Sequence, residues 1–188
     1  MLTPVSGAAL VTMVDMDGFP AVVHPVEGFE ITVVLPEVRG VLWWGPDERG
    51  VDVVAAAGGQ ALVWPSTDLC REDVSARGWA AGDGEPSTLD VRPLVAWLQG
   101  RRLALDVVAG LGAWNLAGDL SVAVGARWSD GGRLADVCFE KLTIANVPWL
   151  AGLEEYRPRW TRRQHTYLRG RLAQAVTLIR AQLLSADS

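Results

Sequence analysis

The stretch FEITVVLPEVRGVLWW, residues 29 to 44, decides the fold, because its first seven residues alternate between the two faces of an extended chain. The odd positions carry large apolar side chains, whereas two of the even positions, Glu30 and Thr32, are polar. This alternation predicts a half-buried strand over residues 29–35. The apolar run RGVLWW, residues 39–44, predicts a second strand beside it.

Two further apolar runs extend this pattern toward the middle of the chain. GVDVVAAA, residues 50–57, and QALVW, residues 60–64, are separated by a glycine pair that can take the positive φ a tight hairpin needs. Strands joined by such short turns pair antiparallel. Residues 1–65 are therefore predicted to form an antiparallel β-meander.

The sequence changes character twice after residue 65. Residues 66–90 are rich in glycine, proline, serine and aspartate and have no sustained hydrophobic period, so we expect a connecting loop region. Residues 91–188 show helical periods and cap signals, and we expect three to four helices there. The last is a basic amphipathic helix that begins at Thr161, where TRRQ forms a capping box with Gln164.

Strands first and helices second predict an α+β fold, in which the N-terminal antiparallel β-meander packs against the C-terminal helices as one integrated domain. No 18 uncharged apolar residues follow one another, so we expect no membrane contact. Cys70 and Cys138 are far apart and have no metal-ligand spacing around them, which predicts no metal site and a cytoplasmic location. Sixteen arginines against one lysine indicate a GC-rich, bacterial genome.

Charge is distributed unevenly along the chain. Residues 1–155 hold 21 acids against 10 bases, whereas residues 156–188 hold seven arginines against one acid. The basic end opens with YRPRWTRRQHTYLRGR, residues 156–171, which places Arg162 and Arg163 in a first helical turn, where the helix dipole disfavours cations. An internal acid, an acidic partner or a phosphate backbone could offset them. We expect internal docking, since the overall charge of −5 opposes general nucleic-acid binding.

The adjacent residues Trp43 and Trp44 point to opposite faces of the predicted sheet. One should be covered by helices and the other by a loop, a partner or a ligand. Together with the aromatic and basic residues that lead into the last helix, they form our candidate partner-binding set. The set comprises Trp43, Trp44, Tyr156, Arg157, Arg159, Trp160, Arg162 and Arg163.

One catalytic motif is present in part. ALVTMVDMDGFP, residues 9–20, ends an apolar run in D-x-D-G and resembles the first motif of haloacid dehalogenase-type phosphotransferases. The resemblance implies a nucleophile at Asp15, a general acid at Asp17 and a Mg²⁺ ion between them and the phosphate. The sequence departs from the family at Phe19, where threonine or valine is expected. A turn whose aspartates bond their own backbone is the other interpretation.

No complete catalytic constellation occurs in the sequence, so we assign no catalytic residue and no cofactor. We expect a non-enzymatic cytoplasmic protein that recognises a protein partner through an aromatic sheet surface and the basic last helix. Two alternatives stay open. One is a nucleic-acid-associated protein that uses residues 156–171, and the other is a Mg²⁺-dependent phosphotransferase that uses Asp15 and Asp17.

Overall fold

Eight strands and five helices lie within residues 22–185, the part of the chain that the computed structural model describes. Most strands precede most helices, which confirms the α+β fold. The strands are β1 (Val22–Val23), β2 (Glu27–Val34), β3 (Arg39–Pro46), β4 (Asp52–Val54), β5 (Ala56–Ala57), β6 (Gln60–Ala61), β7 (Ala80–Ala81) and β8 (Ser87–Asp90). The helices are α1 (Thr67–Ala76), α2 (Arg92–Leu98), α3 (Val107–Val124), α4 (Arg133–Asn146) and α5 (Arg162–Ser185), with a 3₁₀ turn over Pro148–Ala151.

The predicted antiparallel pairing is confirmed for the long strands. β2 pairs with β3, so that Phe29 lies opposite Trp44 and Ile31 opposite Leu42. β3 in turn pairs with β4, where Trp44 lies opposite Val54. The short strands β1, β5 and β6 form a second antiparallel sheet. The hairpin of β2 and β3 is thus the centre of the larger sheet.

The connecting loop region predicted for residues 66–90 is corrected by the structure, which places α1, β7 and β8 there. Both strands pair with β2 in parallel, so this segment completes the sheet rather than leaving it. The sequence signal is weak because α1 buries only Cys70 and Val74. β7 has two exposed residues and β8 one buried residue, too few for a visible alternation.

Both faces of the β2–β3 hairpin are covered. On one face Ile31 and Leu42 join the main core, which is built mostly from α2, α3, α4 and α5. On the other face Val41 and Trp43 pack against Val74 of α1 in a smaller core. Because both faces are buried, the adjacent tryptophans of β3 both point into the protein.

α3 is the central helix of the main core and contacts the sheet, α4 and α5. Among the described helices it is the one long and apolar enough to cross a membrane, yet 56% of it is buried inside the protein. A helix that is mostly apolar and mostly buried in this way is typical of a protein core.

The capping box predicted at the start of α5 is confirmed. The Gln164 amide donates to Thr161 Oγ1 at 3.2 Å, and the Thr161 amide donates to Gln164 Oε1 at 3.0 Å. The helix then buries one stripe against the core. The stripe consists of Leu168, Leu172, Ala175, Val176, Ile179 and Leu183.

Replacing Thr161 by alanine should lower the free energy of unfolding by about 1 kcal/mol, because the Gln164 amide loses its acceptor. Thr177→Ala is the matched control, since Thr177 is exposed within the same helix and its hydroxyl donates to the Ala173 carbonyl. We expect that control to change stability by less than about 0.5 kcal/mol. Urea unfolding measures both variants, and equal losses would contradict a capping role for Thr161.

Candidate functional site

Trp43, predicted to contact a partner, lies inside the protein. It is only 2% exposed and packs with Val41, Trp64 and Val74 on the face that α1 covers. The unpredicted helix α1 is the physical reason. This burial corrects the predicted role of Trp43, because a partner on the folded protein cannot reach it.

Trp44 points to the opposite face and meets an acid of α3. Its indole Nε1 donates a hydrogen bond to Asp119 Oδ2 at 2.9 Å. The ring also lies 5.9 Å from the ring of Phe29 on the neighbouring strand. Trp44 is half-buried, and together with Asp119 it lines a cleft that opens between the sheet and the helices.

This acidic cleft has a volume of about 600 Å³, which lies within the usual range for small-molecule sites. Four carboxylates and three aromatic rings line it. β4 supplies Asp52, α3 supplies Asp119, the loop between α3 and α4 supplies Asp130, and the first turn of α4 supplies Asp136. The rings belong to Trp44, Trp114 and Phe139, and Asn115, Gly118 and Gly131 complete the lining.

The carboxyl of Asp119 has an unusual affinity for its proton. Burial, reinforced by the negative charge of Asp52, raises the pKa of Asp119 to about 7. The hydrogen bond from Trp44 acts in the other direction and stabilises the ionised form. Asp119 therefore changes its charge near neutral pH, so the charge of the cleft depends on pH there.

No basic side chain balances the acidic cleft within residues 22–185. The carboxylates of Asp52, Asp119, Asp130 and Asp136 form no salt bridge there, whereas seven other acids of this range do. Nor do three histidine, cysteine, aspartate or glutamate side chains of the range come together closely enough to hold a metal ion. The acids therefore surround the space rather than converging on one point.

The aromatic wall of the cleft belongs to a larger packed cluster. The ring of Trp114 lies 5.9 Å from Trp128, edge-on, 5.8 Å from Phe139 and 6.4 Å from Tyr167. Within the described residues, the Trp128 Nε1 atom and the Tyr167 hydroxyl are buried without a hydrogen-bond partner. Packing of this kind fixes the rings, so the wall beside the carboxylates is apolar and rigid.

Three other predicted partner residues come together elsewhere. Tyr156, Arg157 and Trp160 line a cavity of about 340 Å³ with residues such as Leu105 of the loop before α3. Arg157 pairs with the carboxylate of Glu155 at 2.6 Å on the protein surface. This cavity is mostly apolar in its side chains and is separate in its lining from the acidic cleft.

The remaining predicted residues, Arg159, Arg162 and Arg163, are exposed at the start of α5. We expected Arg162 and Arg163 to dock on the acidic body of the protein, but within residues 22–185 neither contacts an acid. Arg169 docks internally instead. Its guanidinium donates to the Trp97 and Leu98 carbonyls, at 3.2 and 2.5 Å, where α2 ends. The candidate phosphotransferase residues Asp15 and Asp17 lie outside the described residues, so that hypothesis stays a prediction.

None of the acids of the cleft was predicted as a site residue, although the sequence carries one signal for them. Asn115 and Asp119 are four residues apart in the mostly apolar helix α3, so they share one face. A polar pair on one face of an apolar core helix indicates a polar space in the interior. Asp52 and Asp130 come from distant parts of the chain, and no local pattern links them to that face.

Replacing Asp119 by asparagine should make the protein less sensitive to pH. A folded-state pKa of about 7 against an ordinary value of 3.8 means that the folded state holds the proton more tightly. The resulting stability is complete below pH 4 and is lost as pH rises to about 7. Asp119 is partly exposed, and solvent screening reduces the effect. The free energy of unfolding of the variant, relative to that of the wild type, should therefore rise by about 1–2 kcal/mol between pH 5 and pH 8.

Urea unfolding at both pH values measures this difference. Trp44→Phe is the companion variant, because it removes the hydrogen bond that stabilises the ionised carboxylate and should steepen the pH dependence. Identical pH profiles for the wild type and Asp119→Asn would contradict the raised pKa.

Comparison with known proteins adds no family to this geometry, since no family model, no curated protein and no solved structure matches the chain.

Proposed function

We propose that the protein is a non-enzymatic binding protein and that its ligand is a small organic cation held in the acidic cleft. One observation carries the proposal. Four carboxylates without a basic partner in the described residues line a space of about 600 Å³ beside three aromatic rings. Each of these components favours positive charge.

The carboxylates favour a cation because four groups that carry negative charge when ionised line one space, and one of them, Asp119, is partly buried there. The negative charge of Asp52 adds to the effect of burial in raising the pKa of Asp119, as repulsion between the two carboxylates requires. A bound cation replaces repulsion by attraction, and a cleft lined by one sign of charge also concentrates ions of the opposite sign. The rings act in the same sense, since the face of an indole or phenyl ring attracts ammonium and guanidinium groups.

The size and spacing of the cleft favour an organic cation over a metal ion. Calcium takes six to eight oxygen ligands and magnesium requires a nearly octahedral set, so both need converging donors. Within residues 22–185 no such set is present. An ammonium or guanidinium group with apolar substituents can contact Asp119 and the half-buried ring of Trp44 together and fill the remaining space.

Binding rather than catalysis is supported by the composition of the lining. Beside Asp119 the cleft offers aspartates, one asparagine, aromatic rings and glycines, and its lining holds no serine, cysteine, histidine or lysine side chain that could act together with a carboxylate as a nucleophile–base pair. The near-neutral pKa of Asp119 then adjusts affinity rather than chemistry. We place this function in the cytoplasm, because Cys70 and Cys138 are free and buried.

The other functions expected from the sequence stay predictions. The partner hypothesis changes in one respect, because α1 covers one face of the hairpin and the main core covers the other. What supports a protein partner is therefore the arginine-rich start of α5 rather than an aromatic sheet surface.

Choline should bind in the cleft more tightly than its neutral isostere 3,3-dimethylbutan-1-ol, by about tenfold, because the two differ mainly in charge. Tryptophan fluorescence and calorimetry measure both, and benzylamine and agmatine extend the set to primary amines and guanidinium groups. Equal affinity for choline and the isostere, or no binding by any of the three cations at millimolar concentration, would contradict the proposed function.

The double variant Asp52→Asn/Asp130→Asn should weaken the affinity for any cation that binds by about tenfold or more, because two of the four charges are lost. Asp68→Asn/Glu72→Gln on α1 is the matched control, since it makes the same change of charge on the other side of the sheet. Choline binding should also weaken as pH falls below about 7, where Asp119 takes up its proton. If only the control variant lost affinity, the result would contradict binding of the cation in the acidic cleft.

A further inference from the structure

A second surface lies between the first turns of α4 and α5. Two adjoining hollows, of about 290 and 600 Å³, share the side chains of Leu134 and Arg163. Val137 and Tyr167 add apolar surface, and Arg133 and Arg162 add exposed positive charge. We call this surface, defined by Arg133, Arg162 and Arg163 around Leu134, Val137 and Tyr167, the arginine groove.

The arginines of this groove differ from most others in the protein. The side chains of ten of the sixteen arginines form a salt bridge or hydrogen bond within the chain, with a carboxylate, an amide side chain or backbone carbonyls. Within residues 22–185 six arginines make no such side-chain contact. Arg39 and Arg127 lie elsewhere, and the other four, Arg133, Arg159, Arg162 and Arg163, stand at or just before the starts of α4 and α5.

The local electrostatics at the groove are unfavourable for cations without an outside acid. Arg162 and Arg163 occupy the first turn of α5, where the exposed amides carry partial positive charge. That turn contains no acidic residue. Arg133 is the first residue of α4, where the helix dipole has the same sign and Asp136 in that turn offsets part of it. Carboxylates from another molecule would relieve both the mutual repulsion and the helix dipoles.

We propose that the arginine groove binds an acidic segment of a protein partner that carries an apolar side chain between its carboxylates. The apolar side chain occupies the hollow over Leu134 and Val137, and the carboxylates pair with Arg133, Arg162 and Arg163. Charge complementarity and the apolar floor together define this partner. The proposal does not depend on the function of the acidic cleft.

Nucleic acid fits the groove less well, because the aromatic rings near it are already engaged. Tyr167 packs against Trp114, its hydroxyl is buried, and the Arg171 guanidinium lies 5.3 Å from its ring. Lys141 lies 5.6 Å from the ring of Trp160. Single-strand binding relies on free ring faces for base stacking, and the groove offers apolar side chains instead.

The test uses three fluorescent probes at about 50 mM salt, where ion pairing is weakly screened. They are a glutamate-rich peptide with interspersed leucines, the same peptide with serine at every leucine position, and an oligothymidine. We expect the leucine peptide to bind, and the serine peptide to bind at least about fivefold more weakly. No binding of the leucine peptide, equal binding of the two peptides, or tighter binding of the oligothymidine would overturn the proposal.

Arg162→Gln/Arg163→Gln should reduce the affinity for the leucine peptide by about tenfold or more. The matched control is Arg39→Gln/Arg127→Gln, which removes two exposed arginines away from the groove. Thermal unfolding of both variants separates lost binding from lost folding. Equal losses of affinity in the two variants would overturn the proposal. So would sedimentation in which the wild type forms a dimer and the Arg162→Gln/Arg163→Gln variant does not, because the groove would then join two copies of the chain.

Discussion

Burial of both faces of the β2–β3 hairpin is the constraint on which the rest of the structure depends. Successive side chains of a strand point to opposite faces, so Trp43 and Trp44 cannot share a core. α1 covers Trp43 on one side, and α3 meets Trp44 on the other. Truncating a buried aromatic side chain typically costs about 3–5 kcal/mol, so a cover on each face is a large part of the stability of such a sheet.

The same constraint creates the acidic cleft. The indole of Trp44 brings a polar N–H to the inner face of the sheet, and Asp119 of α3 supplies its acceptor. That acceptor is a carboxyl held where burial disfavours its charge, which lowers stability at neutral pH. A partly buried carboxyl whose pKa is shifted at a cost in stability is more typical of functional sites than of cores. A bound cation would relieve that cost.

The acidic cleft and the arginine groove lie next to each other at the first turn of α4. Asp136 lines the acidic cleft, while Arg133 lines the arginine groove. Within the described residues no ion pair joins these two side chains, although they are three residues apart. Part of the uneven charge of the sequence thus persists as separate surfaces of opposite sign, while the Arg157–Glu155 and Arg180–Glu37 pairs cancel another part internally.

Local patterns in the sequence were sufficient for the elements that carry their own signal. The alternation in residues 29–35 and the capping box at Thr161 act over a few residues, and both appear in the structure as expected. The helix α1 was missed because two buried residues leave almost no period. The acidic cleft could not be predicted as a whole, because β4, α3 and α4 bring its acids together from residues 52 to 136.

The indole N–H of Trp44 provides the most direct test of the central claim, that the sheet and α3 share a carboxyl that titrates near neutral pH. Its nitrogen–proton resonance should shift with pH and show an inflection near pH 7, which should disappear in Asp119→Asn. A resonance that does not move between pH 5 and pH 9, or an inflection that persists in the asparagine variant, would contradict the account.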